Sequence, residues 1–264
     1  MNPSSANQKT AVEHFNQGNQ QKLEGKLQAA LASFQRAIEL NPKFSWYYQT
    51  LGETLVELER WEEAVIAYEQ AIQLKPNSAW PHRDLGEVLV KLDRLEEATD
   101  RYRQAIALNP SVSEFYNSLG QALFQRGSTL EAVANYQKAI DLEADSSSAH
   151  CNLGEALEKQ GQVEEAALCY RKALEIDPAF AEAYQNLGNA VAKLGDLNQA
   201  VAAYTKASSL APSSAPILHK LGETLAKLQR WEEAIADLGF AMNGLPDTAE
   251  IHASLAICFE RTNK

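Results

Sequence analysis

Histidine and cysteine side chains are the groups of this 264-residue chain that could ligate a metal ion or act as nucleophiles. Four of the five histidines are separated by multiples of 34 residues, at His14, His82, His150 and His252. Such spacing is typical of one packing position that recurs, because side chains so far apart along a stack of helices cannot converge on one ion. The three cysteines include no CxxC pair, which is typical of free thiols in a reducing compartment.

A phosphate-binding loop is the other chemistry that the sequence suggests, at Gly25 and Lys26. Such a loop needs an earlier glycine at fixed spacing and a Ser or Thr after the lysine to hold magnesium. Gly18 lies too far back, and Leu27 follows the lysine. GxGxxG and HExxH motifs are also absent from the sequence. We therefore expect no enzyme activity, no cofactor and no metal.

The charge of the chain argues against some classes of partner. A formal net charge of -11 and a pI near 5.0 oppose binding to a nucleic-acid backbone, which requires a basic surface. They favour a neutral or basic protein partner. The first ten residues are polar and resemble no secretory signal, and the chain contains no apolar stretch long enough to cross a bilayer. We expect a cytoplasmic protein without membrane insertion.

The sequence repeats itself every 34 residues along nearly its whole length. Proline recurs at Pro42, Pro76, Pro110, Pro178, Pro212 and Pro246. Glycine recurs at Gly18, Gly52, Gly86, Gly120, Gly154, Gly188 and Gly222. A large residue recurs at Phe34, Tyr68, Tyr102, Tyr136, Tyr170, Tyr204 and Leu238, each between two alanines in step. Small residues let two helices approach closely, the large residue fills the space between them, and proline ends each unit because it cannot continue a helix. The period predicts stacked helical hairpins.

This spacing and these residue sizes resemble the tetratricopeptide repeat (TPR) family over residues 11–248. The resemblance implies an all-α fold, a right-handed superhelical α-solenoid of antiparallel helix hairpins. We expect seven units, at residues 11–44, 45–78, 79–112, 113–146, 147–180, 181–214 and 215–248. Residues 1–10 are expected to be a disordered tail. Residues 249–264 are expected to be either a C-terminal capping helix or the start of an eighth repeat, in which case the chain is a piece of a longer protein.

The first helix of each unit carries two stripes of side chains. Positions 2, 5, 9 and 12 lie about 200° round the helix from the packing stripe and point away from the core of the hairpin. In the TPR family this second stripe, together with positions 6 and 13, lines a concave groove that binds extended peptides or partner helices. The resemblance gives these candidate groove residues: Trp46, Gln49, Glu53, Glu57, Trp80, Arg83, Glu87, Asn117, Gln121, Asn152, Glu155, Asn186, Asn189, Lys193, His219, Lys220, Glu223 and Lys227.

Two tryptophans stand out, because Trp46 and Trp80 hold the same position in neighbouring units. We expect them to form one apolar shelf beside Glu53, Glu57 and Glu87. Buried aromatic residues dominate the energy of interfaces, so the shelf would receive an apolar anchor whose flanks carry Lys or Arg. The alternative is that the tryptophans only cover the seam between two units.

The C-terminal part of the stripe is basic, with Lys193, His219, Lys220 and Lys227, and would take an acidic ligand instead. Asn152 and Asn186 could bind a peptide backbone through amide donors and acceptors. They do not continue into the asparagine ladder of O-GlcNAc transferase, and the Lys and Asn cluster of chaperone-binding TPR domains is not assembled.

A protein-interaction scaffold is the function that these features favour, with a peptide or partner helix bound in the groove. The chain is expected to be a monomer or a weak homo-oligomer. Parts of it also resemble bacterial proteins in which TPRs precede a glycosyl-, sulfo- or methyltransferase domain, so the non-catalytic arm of a larger enzyme is the alternative. A self-assembling spacer is a third hypothesis. The sequence does not identify the partner.

Overall fold

The structure, a computed structural model, describes residues 3–244 and 248–262. Within these residues the regular elements are helices, which confirms the all-α fold predicted from the repeat. The helices are α1 (Pro3–Leu23), α2 (Leu27–Leu40), α3 (Ser45–Glu57), α4 (Trp61–Leu74), α5 (Ala79–Lys91), α6 (Leu95–Leu108), α7 (Ser113–Gln125), α8 (Thr129–Leu142), α9 (Ser147–Lys159), α10 (Val163–Ile176), α11 (Ala181–Lys193), α12 (Leu197–Leu210), α13 (Ala215–Lys227), α14 (Trp231–Gly244) and α15 (Ala249–Thr262). Among them we find none that combines the length and the apolar character required to span a bilayer.

The chain forms two compact units that divide within α8, residues 1–135 and residues 136–264. In the first unit, α1 pairs with α2, α3 with α4 and α5 with α6, and each hairpin packs against the next helix along the chain. In the second unit, α9 pairs with α10, α11 with α12 and α13 with α14, and α15 packs against α14 and α13. Each unit is therefore a stack of antiparallel hairpins whose contacts are mostly between neighbours, as in other helical solenoids.

The contact between glycine and a large residue fixes the spacing of each hairpin. A Cβ atom placed on Gly86 of α5 would lie 2.7 Å from Cε1 of Tyr102 on α6, and a Cβ atom on Gly188 of α11 would lie 2.6 Å from Cε1 of Tyr204 on α12. Both tyrosines are almost completely buried. The glycine is required because the aromatic ring occupies the volume where any other side chain would begin.

The turns between paired helices use left-handed backbone. The second residue after the first helix of each hairpin has a positive φ angle, both where it is glycine, as at Gly161 (84°), and where it is not, as at Glu59 (56°) and Asp93 (57°). At Glu59 the turn is closed by a hydrogen bond from the N–H of Arg60 to the carbonyl of Leu55, 2.9 Å long. This six-to-one bond ends the helix and reverses the chain into the next one.

The N-terminus differs from the sequence prediction. α1 begins at Pro3, so residues that were assigned to a disordered tail extend the first helix. Proline is accepted in a first helical turn, and no glycine or further proline interrupts residues 4–17. Nothing in the local sequence therefore prevents the helix from beginning before Ala11. At the other end, the repeat position at Pro246 lies outside the described residues. α15 follows it and buries Ile251, Leu255 and Cys258.

The four regularly spaced histidines are not equivalent in the structure. His82 is buried, whereas His14 and His150 are half-buried. Nε2 of His150 lies 3.0 Å from the carbonyl oxygen of Ala144. His252 is exposed, which corrects the expectation that it packs like the others. Its helix, α15, has no following helix in the described residues to cover that position.

Candidate functional site

Trp46 and Trp80 lie in the first turns of α3 and α5, and about half of each side chain is exposed (51% and 44%). They border one cleft with a volume of about 600 Å³. Its lining, which we call the tryptophan cleft, consists of Phe44, Ser45, Trp46, Gln49, Ala71, Lys75, Ser78, Trp80 and Pro81. Both tryptophans therefore border one cleft, together with Phe44 from the turn before α3. The expected neighbours Glu53, Glu57 and Glu87 do not line it.

The tryptophan cleft has firmly packed walls. The ring of Trp80 meets that of Phe115 edge-on, with 5.1 Å between the ring centroids, and Phe115 is completely buried. Phe44 makes a similar edge contact with Tyr47, at 4.7 Å. Such edge-to-face pairs hold aromatic rings in fixed orientations. Trp80 and Phe44 are thus each packed against a buried ring, while about half of each side chain remains open to solvent.

A second cavity, of about 350 Å³, lies between α3, α5 and α7. We call it the carboxylate pocket, and it is lined by Val56, Trp61, Tyr68, Asp84, Glu87, Val88, Val90, Lys91, Tyr102, Ser118, Gln121, Ala122 and Gln125. Burial, together with the neighbouring charges of Glu87 and Glu53, raises the pKa of Asp84 to about 6 despite the lowering effect of Arg83. Burial also raises the pKa of Glu87.

Arg83 is the cation at the centre of these acids. Its guanidinium contacts Asp84 at 3.1 Å and Glu87 at 3.0 Å, and it also donates to a carboxylate oxygen of Glu114 on α7. Nε of the same side chain is buried without a hydrogen-bond partner. The amide of Gln49 donates to Asp84 at 3.2 Å. Gln49 lines the tryptophan cleft and Asp84 lines the carboxylate pocket, so this hydrogen bond joins the linings of the two cavities.

The other two acids of the predicted shelf are paired from the preceding hairpin. Nζ of Lys22, at the end of α1, lies 2.9 Å from Oε1 of Glu57 and 3.5 Å from Oε2 of Glu53. Glu53 and Glu57, which were expected beside the tryptophan shelf, are therefore ion-paired with Lys22. Lys22 occupies position 12 of its own unit, which belongs to the groove stripe. Its pairing with carboxylates of the next unit arises only from the stacking of the hairpins, so the sequence of one unit does not show it.

In the second unit, the predicted groove residues bind mainly to each other. The amide of Asn186 donates to Glu155 at 2.7 Å, and the hydroxyl of Tyr204 donates to Asn189 at 2.7 Å. Lys193 forms an ion pair with Glu158 at 2.6 Å. Lys193, which was expected to make this end basic, is therefore paired with a carboxylate, and Asn186 donates to a carboxylate of the preceding hairpin.

His219 departs most from its predicted place. It was expected to face an open groove, but only 6% of it is exposed, and Nε2 forms no hydrogen bond. That atom lies 3.4 Å from Oε1 of Glu223, one turn along α13. Oε2 of Glu223 is paired with Lys220 at 2.9 Å. The basic character expected at this end is therefore reduced, since one of its lysines is neutralised.

The remaining candidate residues lie at several depths. Asn117 and Asn152 are half-buried, whereas Gln121 and Lys227 are exposed. Gln121 lines the carboxylate pocket. Of the predicted residues on α3, α5 and α7, the structure thus places Trp46, Gln49 and Trp80 at the tryptophan cleft and Glu87 and Gln121 at the carboxylate pocket.

Comparison with protein families gives matches along most of the chain. Models described as "TPR repeat" match residues 52–93, 86–127, 120–161, 159–195 and 188–229. Models described as "Tetratricopeptide repeat" match residues 11–44 and 33–66. No curated protein matches the chain significantly.

Several solved structures are similar to this one. YrrB, described as a TPR protein with an unusual peptide-binding site, is 25% identical with a TM-score of 0.56, over 70% of this chain and 96% of YrrB. MamA is 25% identical with a TM-score of 0.57, over 63% of this chain and 97% of MamA. A tetratricopeptide repeat protein from Parabacteroides merdae is 17% identical with a TM-score of 0.73, over 95% and 99% of the two chains, which shows a shared fold.

Proposed function

Since the chain belongs to the tetratricopeptide-repeat family, we propose that it is a protein-interaction scaffold whose first unit binds a peptide or partner helix. The ligand places an apolar anchor in the tryptophan cleft and basic flanking residues towards the carboxylate pocket. The observation that carries this proposal is a pair of cavities whose linings are joined by the Gln49–Asp84 hydrogen bond, one walled by half-exposed tryptophan rings and the other containing the carboxylates of Asp84 and Glu87.

The tryptophan cleft is suited to an apolar side chain. Trp46 and Trp80 together expose a large aromatic surface, and large rigid rings bury much area at little cost in conformational entropy. Gln49 and Lys75 at the edge offer amide and ammonium donors to a peptide carbonyl. A seam that served only for packing would not need to leave both rings half exposed.

The charge around the two cavities favours basic flanks. Five carboxylates converge there, those of Glu53, Glu57, Asp84, Glu87 and Glu114. Two cations are paired with them, and a third lines the carboxylate pocket: Lys22, Arg83 and Lys91. The excess of negative charge attracts a Lys or Arg side chain and speeds its association. The basic flank of a ligand would compete with Lys22 and Arg83 for the same carboxylates. We therefore expect the flank to increase the association rate more than the affinity.

The similarity to YrrB supports this proposal at the level of function. YrrB is described as having a peptide-binding site, and the match covers 70% of this chain at 25% identity. Fold similarity alone does not assign a ligand, so the proposal rests on the cavities of this chain.

The proposal is tested with fluorescein-labelled peptides that carry one central Phe flanked on both sides by Lys, by Ser or by Glu. Fluorescence anisotropy should give the highest affinity for the Lys-flanked peptide and the lowest for the Glu-flanked one. The double change Trp46→Ala and Trp80→Ala should weaken binding of the Lys-flanked peptide by about thirtyfold or more, because loss of a central aromatic anchor costs about 2 kcal/mol or more.

The matched control is Ile66→Ala, which removes an exposed apolar side chain from α4 of the same unit, outside both cavities. It should leave the affinity unchanged, and circular dichroism should show that every variant remains helical. If the tryptophan double variant binds like the parent, the two rings only cover a seam. If the Glu-flanked peptide binds best, the binding surface lies elsewhere, and the basic residues of the second unit become the next candidate.

A further inference from the structure

The last hairpin of the second unit contains a group of side chains that the peptide-binding proposal does not use. His219 and Glu223 lie one turn apart on α13, and Glu250 lies in the first turn of α15. One ligand atom from each of the three comes within 4.8 Å of the others. An imidazole and a carboxylate four residues apart on a helix point to the same side, so the second helix supplies the third ligand across the gap.

The histidine gives independent evidence that something binds here. Only 6% of His219 is exposed, yet its Nε2 has no hydrogen-bond partner in the described part of the chain. A buried polar atom without a partner costs free energy, and most such atoms in proteins are satisfied. Nε2 is directed towards Oε1 of Glu223 at 3.4 Å, without forming a hydrogen bond to it. From this geometry we infer that His219, Glu223 and Glu250 form a binding site for a divalent transition-metal ion of the zinc type.

The distances agree with the coordination geometry of zinc. Ligand atoms about 2.0–2.1 Å from a tetrahedral zinc ion lie about 3.3–3.4 Å from each other. The separation between Nε2 of His219 and Oε1 of Glu223 already has this value. Glu250 is exposed, so its side chain is free to rotate and close the remaining distance. Three protein ligands leave a fourth position for water, as is common at open zinc sites.

The ligand types decide between classes of metal. Calcium and magnesium bind through oxygen atoms, and a buried imidazole contributes nothing to such a site. Imidazole nitrogen together with carboxylate oxygen suits zinc and its neighbours in the first transition series. Nζ of Lys220 lies 2.9 Å from Oε2 of Glu223, so Oε1 of the same carboxylate remains available for the metal. The positive charge of Lys220 opposes the cation, so micromolar rather than tighter binding is expected.

A bound ion would connect α15 to α13 at the end of the stack. α15 packs against α14 and α13, and the described residues contain no further helix on its other side. Zinc would therefore add a link between α15 and α13 and stabilise the packing of α15. This inference is independent of peptide binding, which concerns the first unit.

Titration of the untagged 264-residue chain with Zn²⁺, followed by calorimetry, tests the site. We expect one equivalent to bind with micromolar affinity and to raise the melting temperature. Glu250→Gln alters an exposed side chain and should keep the fold, yet weaken binding by at least about tenfold and remove the thermal shift. His219→Gln should do the same. His252→Gln, an exposed histidine on the same helix α15, is the control and should bind zinc like the parent.

Cobalt serves as a second probe, because Co²⁺ in a tetrahedral site with mixed nitrogen and oxygen ligands has a visible absorption spectrum. The spectrum should appear with the parent and with His252→Gln, and be absent with Glu250→Gln. The inference is overturned if the parent binds no zinc in the micromolar range, if Glu250→Gln binds like the parent, or if binding depends on His252. Should His219→Gln fail to fold, Glu250→Gln alone decides the result.

Discussion

Replacing Gly86 by alanine should destabilise the first unit, although the same change elsewhere in a helix is stabilising. Gly86 lies inside α5, where alanine is a better helix former than glycine by about 1 kcal/mol. The added Cβ atom would lie 2.7 Å from Cε1 and 2.9 Å from Cζ of Tyr102, whereas ordinary contacts are 3.4–4 Å. Tyr102 is only 2% exposed, so packed neighbours surround most of its ring and oppose its movement.

The magnitude follows from these two opposing terms. Overpacking of a closely packed core costs about 1–3 kcal/mol, and the gain in helix propensity offsets about 1 kcal/mol of that cost. We therefore expect a net loss of about 0–2 kcal/mol. Gly239 of α14 is the matched control, because a Cβ atom there would meet nothing within 4 Å. Gly239→Ala should gain about 1 kcal/mol, so the two variants should differ by about 1–3 kcal/mol.

Urea unfolding followed by circular dichroism gives the free energies, and hydrogen exchange shows which hairpins open first. Protection in Gly86→Ala should fall first in α5 and α6, since each hairpin of a solenoid depends mainly on its neighbours. If Gly86→Ala gains as much stability as Gly239→Ala, the ring of Tyr102 is not against Gly86, and the hairpin register described above is wrong.

Three further predictions concern single residues. Glu59→Gly should stabilise the protein by about 0.5–1 kcal/mol, because Glu59 holds a φ angle of 56° that glycine adopts freely. The control Glu69→Gly, inside α4, should cost about 1 kcal/mol, and urea unfolding measures both changes. The pKa of Asp84 is raised from 3.8 to about 6 in the folded state, so the folded state binds more protons between these values and stability should fall, by up to about 3 kcal/mol, as the pH rises through this window. Asp84→Asn should flatten that part of the stability–pH curve, and an unchanged slope would show that Asp84 is not its source. Burial raises the pKa of Cys151 to about 12, so alkylation at pH 8, followed by peptide mass spectrometry, should modify Cys151 only after unfolding; modification at the same rate in the native protein would contradict its buried position.

The helical hairpins could be predicted from the sequence because their causes are local and repeated. The positions of Gly86 and Tyr102 hold a glycine and a large residue in every unit, always at the same spacing. Such a repeat of 34 residues is compatible with few folds. The start of α1 could not be predicted in the same way. The polar residues before Ala11 contain no repeating apolar pattern, so the sequence period predicts no structure for them. In the structure, α1 nevertheless extends through them as far as Pro3.

The candidate site was predictable in part. Stripe positions identified Trp46 and Trp80, and the structure places both at one cleft. The ion pairs were not predictable, because Lys22 pairs with Glu53 and Lys193 with Glu158 across adjacent hairpins, about one repeat apart in sequence. Pairing within one helix was the simplest expectation, but side chains on adjacent hairpins come equally close once the helices are stacked. His219 was misplaced for the same reason, since its burial depends on packing beyond its own helix.

The central claim is that the two exposed tryptophans of the first unit receive the ligand. Fluorine NMR of protein labelled with 5-fluorotryptophan tests it directly, because the chain contains four tryptophans and single substitutions assign each signal. On titration with the Lys-flanked peptide, the signals of Trp46 and Trp80 should shift and saturate together, while that of Trp231 in the second unit should stay in place. A saturating titration that moves the Trp231 signal and leaves Trp46 and Trp80 unchanged would contradict the account.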